Sequence, residues 1–209
     1  QLNINKPLGW LLFLMTFLWG ARLSLHIFKR NYRKPEDFRY ANFRKQWGKT
    51  YFVRAYFQLF LFQGLLMYII SVANILGQSS STLTSLPLVI FGILVYTSGM
   101  LFESIGDAQL KAHTQNPANK GKLIQTGLWK YTRHPNYFGE SVLWFGVYFV
   151  ALGLGAPVWA ILSPITITLI IRFVSGVPML EARLKKYAGY EEYVKNTSIF
   201  IPRLPRKGE

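Results

Sequence analysis

Five apolar segments, at 7–28, 51–77, 86–110, 137–155 and 158–180, constrain this chain more than any other feature. Each approaches or exceeds the roughly 20 residues that carry a helix across a bilayer. They predict an all-α fold, a polytopic membrane helix bundle with five transmembrane helices, organised as a single domain over 1–209. The rest of the chain agrees. Apolar residues make up 51% of it, with 16 Phe, 12 Tyr and 6 Trp, a composition foreign to soluble domains. The absence of Cys removes disulfides, thiolate metal sites and cysteine nucleophiles.

The formal charge of +15 would suggest nucleic acid in a soluble protein. Here its distribution explains it. Basic residues crowd the loops at 29–50 and 111–136 and the tail from Glu181, whereas the turn at 78–85 is uncharged. With the basic regions in the cytoplasm, only Lys6 lies on the far side. This places the N-terminus outside and the C-terminus in the cytoplasm. Anionic lipid headgroups account for the charge, and no nucleic-acid partner is expected. The chain starts with Gln and enters its first apolar segment within a few residues, so helices preceding residue 1 are expected. No internal repeat or linker divides it.

Six ionisable residues fall inside the apolar segments: Arg22, Arg54, Glu103, Asp107, Glu140 and Arg172. Charges there are costly and face a protein interior or a wet cavity. All six lie toward the cytoplasmic ends of their segments, and three acids against three bases allow pairing. Glu103 and Asp107 are one helical turn apart, and Lys111 extends the stripe. Trp19, Arg22 and His26 form a face on the first helix. The long arms of Arg22, Arg54 and Arg172 can snorkel to the interface, but short carboxylates cannot. The expectation is a polar pocket in the cytoplasmic half of the bundle. Only three His occur, with no paired spacing, so no metal site is expected.

The densest chemistry is at 126–141, TGLWKYTRHPNYFGES. Arg133, Asn136, Tyr137 and Glu140 stand at i, i+3, i+4 and i+7, on one face of a helix that includes them all. Pro135 suits a first helical turn and Thr132 an N-cap. A helix N-terminus offers free N–H groups to a phosphate. The loop Asn119-Lys120-Gly121-Lys122 adds two ammonium groups.

These motifs carry a resemblance. GLWKYTRHPNYFGE, followed by Tyr190-x-x-Tyr193 and Ile201-Pro202, resembles the C-terminal half of membrane steroid 5-alpha-reductases and sterol reductases. WGARLSLHI, EDFRY, FESIGDAQL, NKGK and SGVPMLE are similar to the habits of a bacterial, steroid-reductase-like branch, and the resemblance spans nearly the whole chain. The RHPxYxG core alone is shared with isoprenylcysteine and phospholipid methyltransferases.

The resemblance implies an integral membrane reductase of a bacterial plasma membrane, with NADPH bound in a cavity facing the cytoplasm. Its substrate would be a lipophilic, steroid- or isoprenoid-like enone entering from the bilayer. It implies cofactor contacts from Asp107, Asn136 and Glu140, with Arg133, His134 and Tyr137 lining the same site and Tyr193 and Lys195 closing it. Lys111, Lys122, Lys120 and Arg133 would serve a 2′-phosphate. Gln63, followed by Gly64, matches a substrate-side pair, and Arg22 and Glu103 would complete the substrate side. The steroid enzymes use a Tyr on the helix aligned with Trp19–Arg22, which this chain lacks, and Glu103 stands where the animal enzymes carry Asn. The catalytic acid is therefore unassigned. The alternatives are a SAM-dependent membrane methyltransferase, or a lipid-binding homologue without activity.

Overall fold

Backbone N–H and C=O groups in hydrocarbon have only one another as partners, so apolar runs of this length become helices. The computed structural model describes residues 7–205 except 34, 37 and 81. Helix α1 spans Pro7–Asn31. A second line begins with α2 (Phe38–Trp47) and passes through a single tight turn and α3 (Tyr51–Arg54). It then widens into π-type turns at Ala55–Leu61 and ends as α4 (Phe62–Ser80). Part of the basic loop predicted at 29–50 is thus helical. Helix α5 spans Leu86–Gln115, started by the Ser85 side chain accepting from the Leu88 N–H. Helix α6 spans Pro135–Gly153.

The last apolar segment is not one straight helix. It opens with a tight turn at Val158–Ile161, continues as α7 (Leu162–Leu169), loosens into π-type turns at Ile170–Val174 and breaks at 175–176. Helix α8 (Val177–Leu184) follows, with Pro178 in its first turn, and α9 (Tyr190–Asn196) lies in the tail. The described residues form no strand, only one isolated bridge between Thr132 and Ser198.

The structure is an all-helical membrane bundle, but the five predicted spans are not equivalent. Four helical lines, at 8–31, 40–80, 86–115 and 158–184, are long and apolar enough to cross a bilayer. The fifth, α6, is 19 residues long, and Asn136 and Glu140 in its first two turns dilute its apolarity. It is the core helix. Leu143, Trp144, Val147, Val150 and Ala151 are each at most 2% exposed. A helix apolar on all sides belongs in the interior.

What holds α6 there is a seam of glycines. Gly92, Gly99 and Gly106 on α5, and Gly139, Gly146 and Gly153 on α6, each recur every seven residues. A Cβ on Gly99 would lie 2.4 Å from the Leu143 nitrogen, and one on Gly139 would lie 2.4 Å from that of Glu103. At Gly146 it would lie 2.4 Å from the Tyr96 nitrogen. The two backbones are in direct contact, antiparallel, as small residues permit. The period of seven is that of a left-handed helix pair. Elsewhere the Tyr96 hydroxyl donates to the Met15 carbonyl at 2.6 Å, tying α5 to α1. Ser163 donates to the Ile70 carbonyl, tying α7 to α4.

Gly146→Ala should destabilise the detergent-solubilised protein by about 2 kcal/mol or more, since the new methyl meets backbone that cannot step aside. A Cβ on Gly64, by contrast, would meet nothing within 4 Å. Gly64→Ala should leave the melting temperature level or raise it. Equal losses in both variants would refute the seam as the constraint.

Candidate functional site

The seam brings charged groups together within the bundle. Because Gly139 sits against Glu103 and Gly106 against Asn136, the first two turns of α6 face the last polar turns of α5. Arg22, on α1, donates from Nη1 to Asp107 Oδ2 at 3.0 Å and from Nη2 to Glu103 Oε1. Asn136 Nδ2 donates to Asp107 Oδ1 at 3.0 Å. His26 Nδ1 lies 3.8 Å from Asp107 Oδ2. Glu140, on α6, is the third carboxyl of this group and interacts electrostatically with Arg22, Asp107 and Glu103. The side chain of Glu103 is 3% exposed, whereas those of Asp107 and His26 are 11% and 30% exposed, so the cluster is open at the His26 end.

This cluster is not saturated. Among the described residues, eight buried side-chain polar atoms lack a partner in the protein, and five belong to this region: Trp19 Nε1, Arg22 Nε, Glu103 Oε2, Asn136 Oδ1 and Trp144 Nε1. The two indoles pack edge to face with centroids 5.1 Å apart, one turn from Arg22 and Glu140 respectively. Buried polar groups normally find partners. Here donors and acceptors are left open together on three helices.

A second cluster lies where the loop before α6 meets the tail. Glu181, on α8, accepts on Oε1 from Arg133 Nε at 3.1 Å and pairs there with His134 Nε2 at 2.7 Å. Its Oε2 accepts from Arg133 Nη2 at 2.9 Å and from the Tyr190 hydroxyl at 2.7 Å. That set fills the carboxylate's acceptor capacity. Arg133 Nη1 donates to the Thr197 carbonyl at 2.7 Å. The Tyr193 hydroxyl donates to the Trp129 carbonyl at 2.7 Å, and Trp129 Nε1 donates to that of Gly106. Burial, and then the bond to Glu181, push the Tyr190 phenol up to about 12. Burial also pushes that of Tyr193 up.

The expected single face of Arg133, Asn136, Tyr137 and Glu140 is therefore split. The helix starts at Pro135, so Arg133 and His134 precede it and turn toward Glu181, while Asn136 and Glu140 turn toward α5. Tyr137, half-buried, stacks on the His134 ring. Thr132 is not the N-cap. That residue is His134, and the Thr132 hydroxyl donates instead to the Phe200 carbonyl at 2.8 Å. Nor is the helix start open to a phosphate, because His134 and Pro135 are buried and the Gly106 backbone closes over Asn136. Gln63 is exposed on α4 and joins neither cluster. Lys111, Lys120 and Lys122 are exposed around the end of α5. Lys195 lines a shallow cavity of about 530 Å³ with Lys185, Tyr187, Tyr190 and Glu192.

Sequence reasoning missed Glu181 as a hub, and Trp144 altogether. Acidic residues are scarce, nine against 24 basic, so an acid ending an apolar segment was itself a signal of pairing. Trp144 stands four residues beyond Glu140, on the same helical face.

Residues 3–197 match the model of the family described as "Protein of unknown function (DUF1295)". An uncharacterised protein of Schizosaccharomyces pombe is 26% identical over 223 aligned residues, which take in 92% of this chain and 62% of that protein. A probable O-methyltransferase, ustE, of Ustilaginoidea virens is 32% identical over 56 residues, 27% of this chain and 20% of its own length. The chain thus spans less than two thirds of either curated relative. No solved structure matches it significantly.

Glu181→Gln should cost about 3 kcal/mol, since it strips the countercharge from a buried Arg133. Limited trypsinolysis should then cut at Lys185 and Lys186 before the transmembrane core is attacked. An unchanged melting temperature and cleavage pattern would show that the Glu181 contacts do not hold the tail.

Proposed function

We propose that this chain, which belongs to the DUF1295 family within the steroid 5-alpha-reductase-like superfamily, is a membrane-embedded, NADPH-dependent reductase. It would reduce a carbon–carbon double bond conjugated to a carbonyl in a lipophilic, steroid- or isoprenoid-like substrate. The observation that carries the reading is the unsaturated polar cluster of α1, α5 and α6, set deep among apolar helices but open at one end. Such a site suits a soluble, charged cofactor meeting a membrane-soluble substrate.

The residues present fit this cofactor. When bound, NADPH supplies a hydride. Asp107, Asn136 and Glu140 offer acceptors and an amide for its ribose and carboxamide groups. The exposed ammonium groups of Lys111 and Lys122, with Lys120, suit its phosphates and Lys195 its outer edge. Arg133 and His134 are engaged by Glu181 and the tail, and they position the turn that delivers Asn136. Tyr193 pins that turn through Trp129, with Tyr137 packed behind it. Arg22 fixes the carboxyls, and the substrate would enter from the bilayer. The positive-inside distribution turns the open end toward the cytoplasm, with the N-terminus outside.

The short match to a probable O-methyltransferase keeps a SAM-dependent reaction as the competing reading. Thermal shift of the detergent-solubilised protein separates the two, because a ligand stabilises the native state in proportion to its occupancy. NADPH should raise the midpoint, and Asn136→Ala should weaken NADPH binding about tenfold or more by removing a donor and loosening Asp107. A shift with SAM alone would overturn the reductase reading, and an undiminished NADPH shift in Asn136→Ala would overturn the site.

A further inference from the structure

Three carboxyl groups share one guanidinium inside this bundle. Glu103 and Asp107 come from α5, Glu140 from α6 and Arg22 from α1. The other titratable groups facing Glu103 are Tyr96, on its own helix, and His26, beyond Asp107. Arg22 offsets one negative charge. A further ionised carboxylate in these surroundings lacks a countercharge, and a buried carboxyl in that position takes up a proton instead.

Burial and an unpartnered oxygen set Glu103 apart from the other two carboxyls. Both Asp107 oxygens accept hydrogen bonds, from Arg22 and Asn136, His26 lies nearby, and the side chain is partly exposed. Glu140 keeps part of its residue surface exposed. Glu103 is buried, its Oε1 accepts from Arg22, and its Oε2 has no donor in the protein. A proton on Oε2 removes both the excess charge and the orphaned acceptor, and turns that oxygen into a donor facing the ligand site.

We propose that Glu103 holds this proton and is the acid of the reaction, donating it to the carbonyl oxygen of the enone; this assignment rests on the reductase reading. The carboxyl O–H bond breaks and an O–H bond forms on the substrate oxygen as negative charge collects there. The enol then tautomerises to the saturated ketone. The hydride brings the two electrons, and solvent at the open His26 end returns one proton to Glu103, so the double bond gains two hydrogens in all.

Infrared spectroscopy of the full chain in detergent at neutral pH reads the proton without any cofactor. A carboxylic C=O band that shifts in D₂O should be present, should lose intensity in Glu103→Gln and should persist in Glu103→Asp. Gln is the isostere of the protonated acid, so Glu103→Gln should fold and keep its thermal shift with NADPH. With a steroid 4-en-3-one or the isoprenoid enone β-ionone as substrate, its kcat should fall about 100-fold or more with KM little changed. Glu103→Asp should recover part of that loss. A band unaltered in Glu103→Gln, or wild-type kcat in that variant, overturns the proposal. A wild type that carries the band but gains no stability from NADPH overturns the reductase reading, and the donor role with it, leaving the buried proton established.

Discussion

The contact on which this structure depends is backbone against backbone, along the glycines of α5 and α6. Apolar helices in lipid gain little by leaving one apolar environment for another, so close packing of small residues must supply their association. Six glycines spaced by sevens provide it. The close approach does more than hold two helices. It brings the α5 turn bearing Glu103 and Asp107 against the α6 turn bearing Asn136 and Glu140, near enough that one guanidinium from α1 serves them. Larger residues in the seam would hold the helices apart and dissolve the cluster.

The two polar clusters divide the work in a way their sequence adjacency conceals. Around Glu181 every strong acceptor is filled, and the result is a rigid joint between the loop, α8 and the tail. Around Arg22 the groups are deliberately few for the charge they bear, and donors and acceptors stay open. The first cluster is a closed knot, the second an open one, and only two residues separate Arg133 from Asn136. Pro135 is the divider: it starts the helix and fixes which side chains face forward and which turn back.

Much of the fold was legible in the sequence, because hydrophobic length is a one-dimensional property. The segments and the carboxylates placed inside them follow from it, whereas the pairing of Arg22 with Glu103 and Asp107 needed the fold. What length does not carry is rank. Nothing in the apolarity of 137–155 says that it lies inside the others, whereas the glycine period of seven on two helices does, and it is visible in the chain. The divided role of 133–140 was misread for a local reason, since a face drawn from Arg133 assumes a helix that Pro135 had not yet begun. Glu181 was hidden because its partners His134 and Arg133 stand 47 and 48 residues away. Gln63 shows the limit of a matched dipeptide, which brings its residue to neither cluster.

A seam that repeats every seven residues has a further consequence. Sliding α6 by one heptad, about 10 Å along its axis, would set glycine against glycine again and leave much of the van der Waals contact intact. Periodic packing alone thus leaves the pair with more than one vernier setting. The non-repeating features break the degeneracy: Arg22 reaching Glu103 and Asp107, Trp129 reaching the Gly106 carbonyl, and the tail stitched to the loop at Arg133–Ser198 and Tyr131–Arg203. Polar contacts that contribute little to stability can still specify register. In this bundle the buried charged groups also act as the index pins that keep the two central helices from slipping a notch.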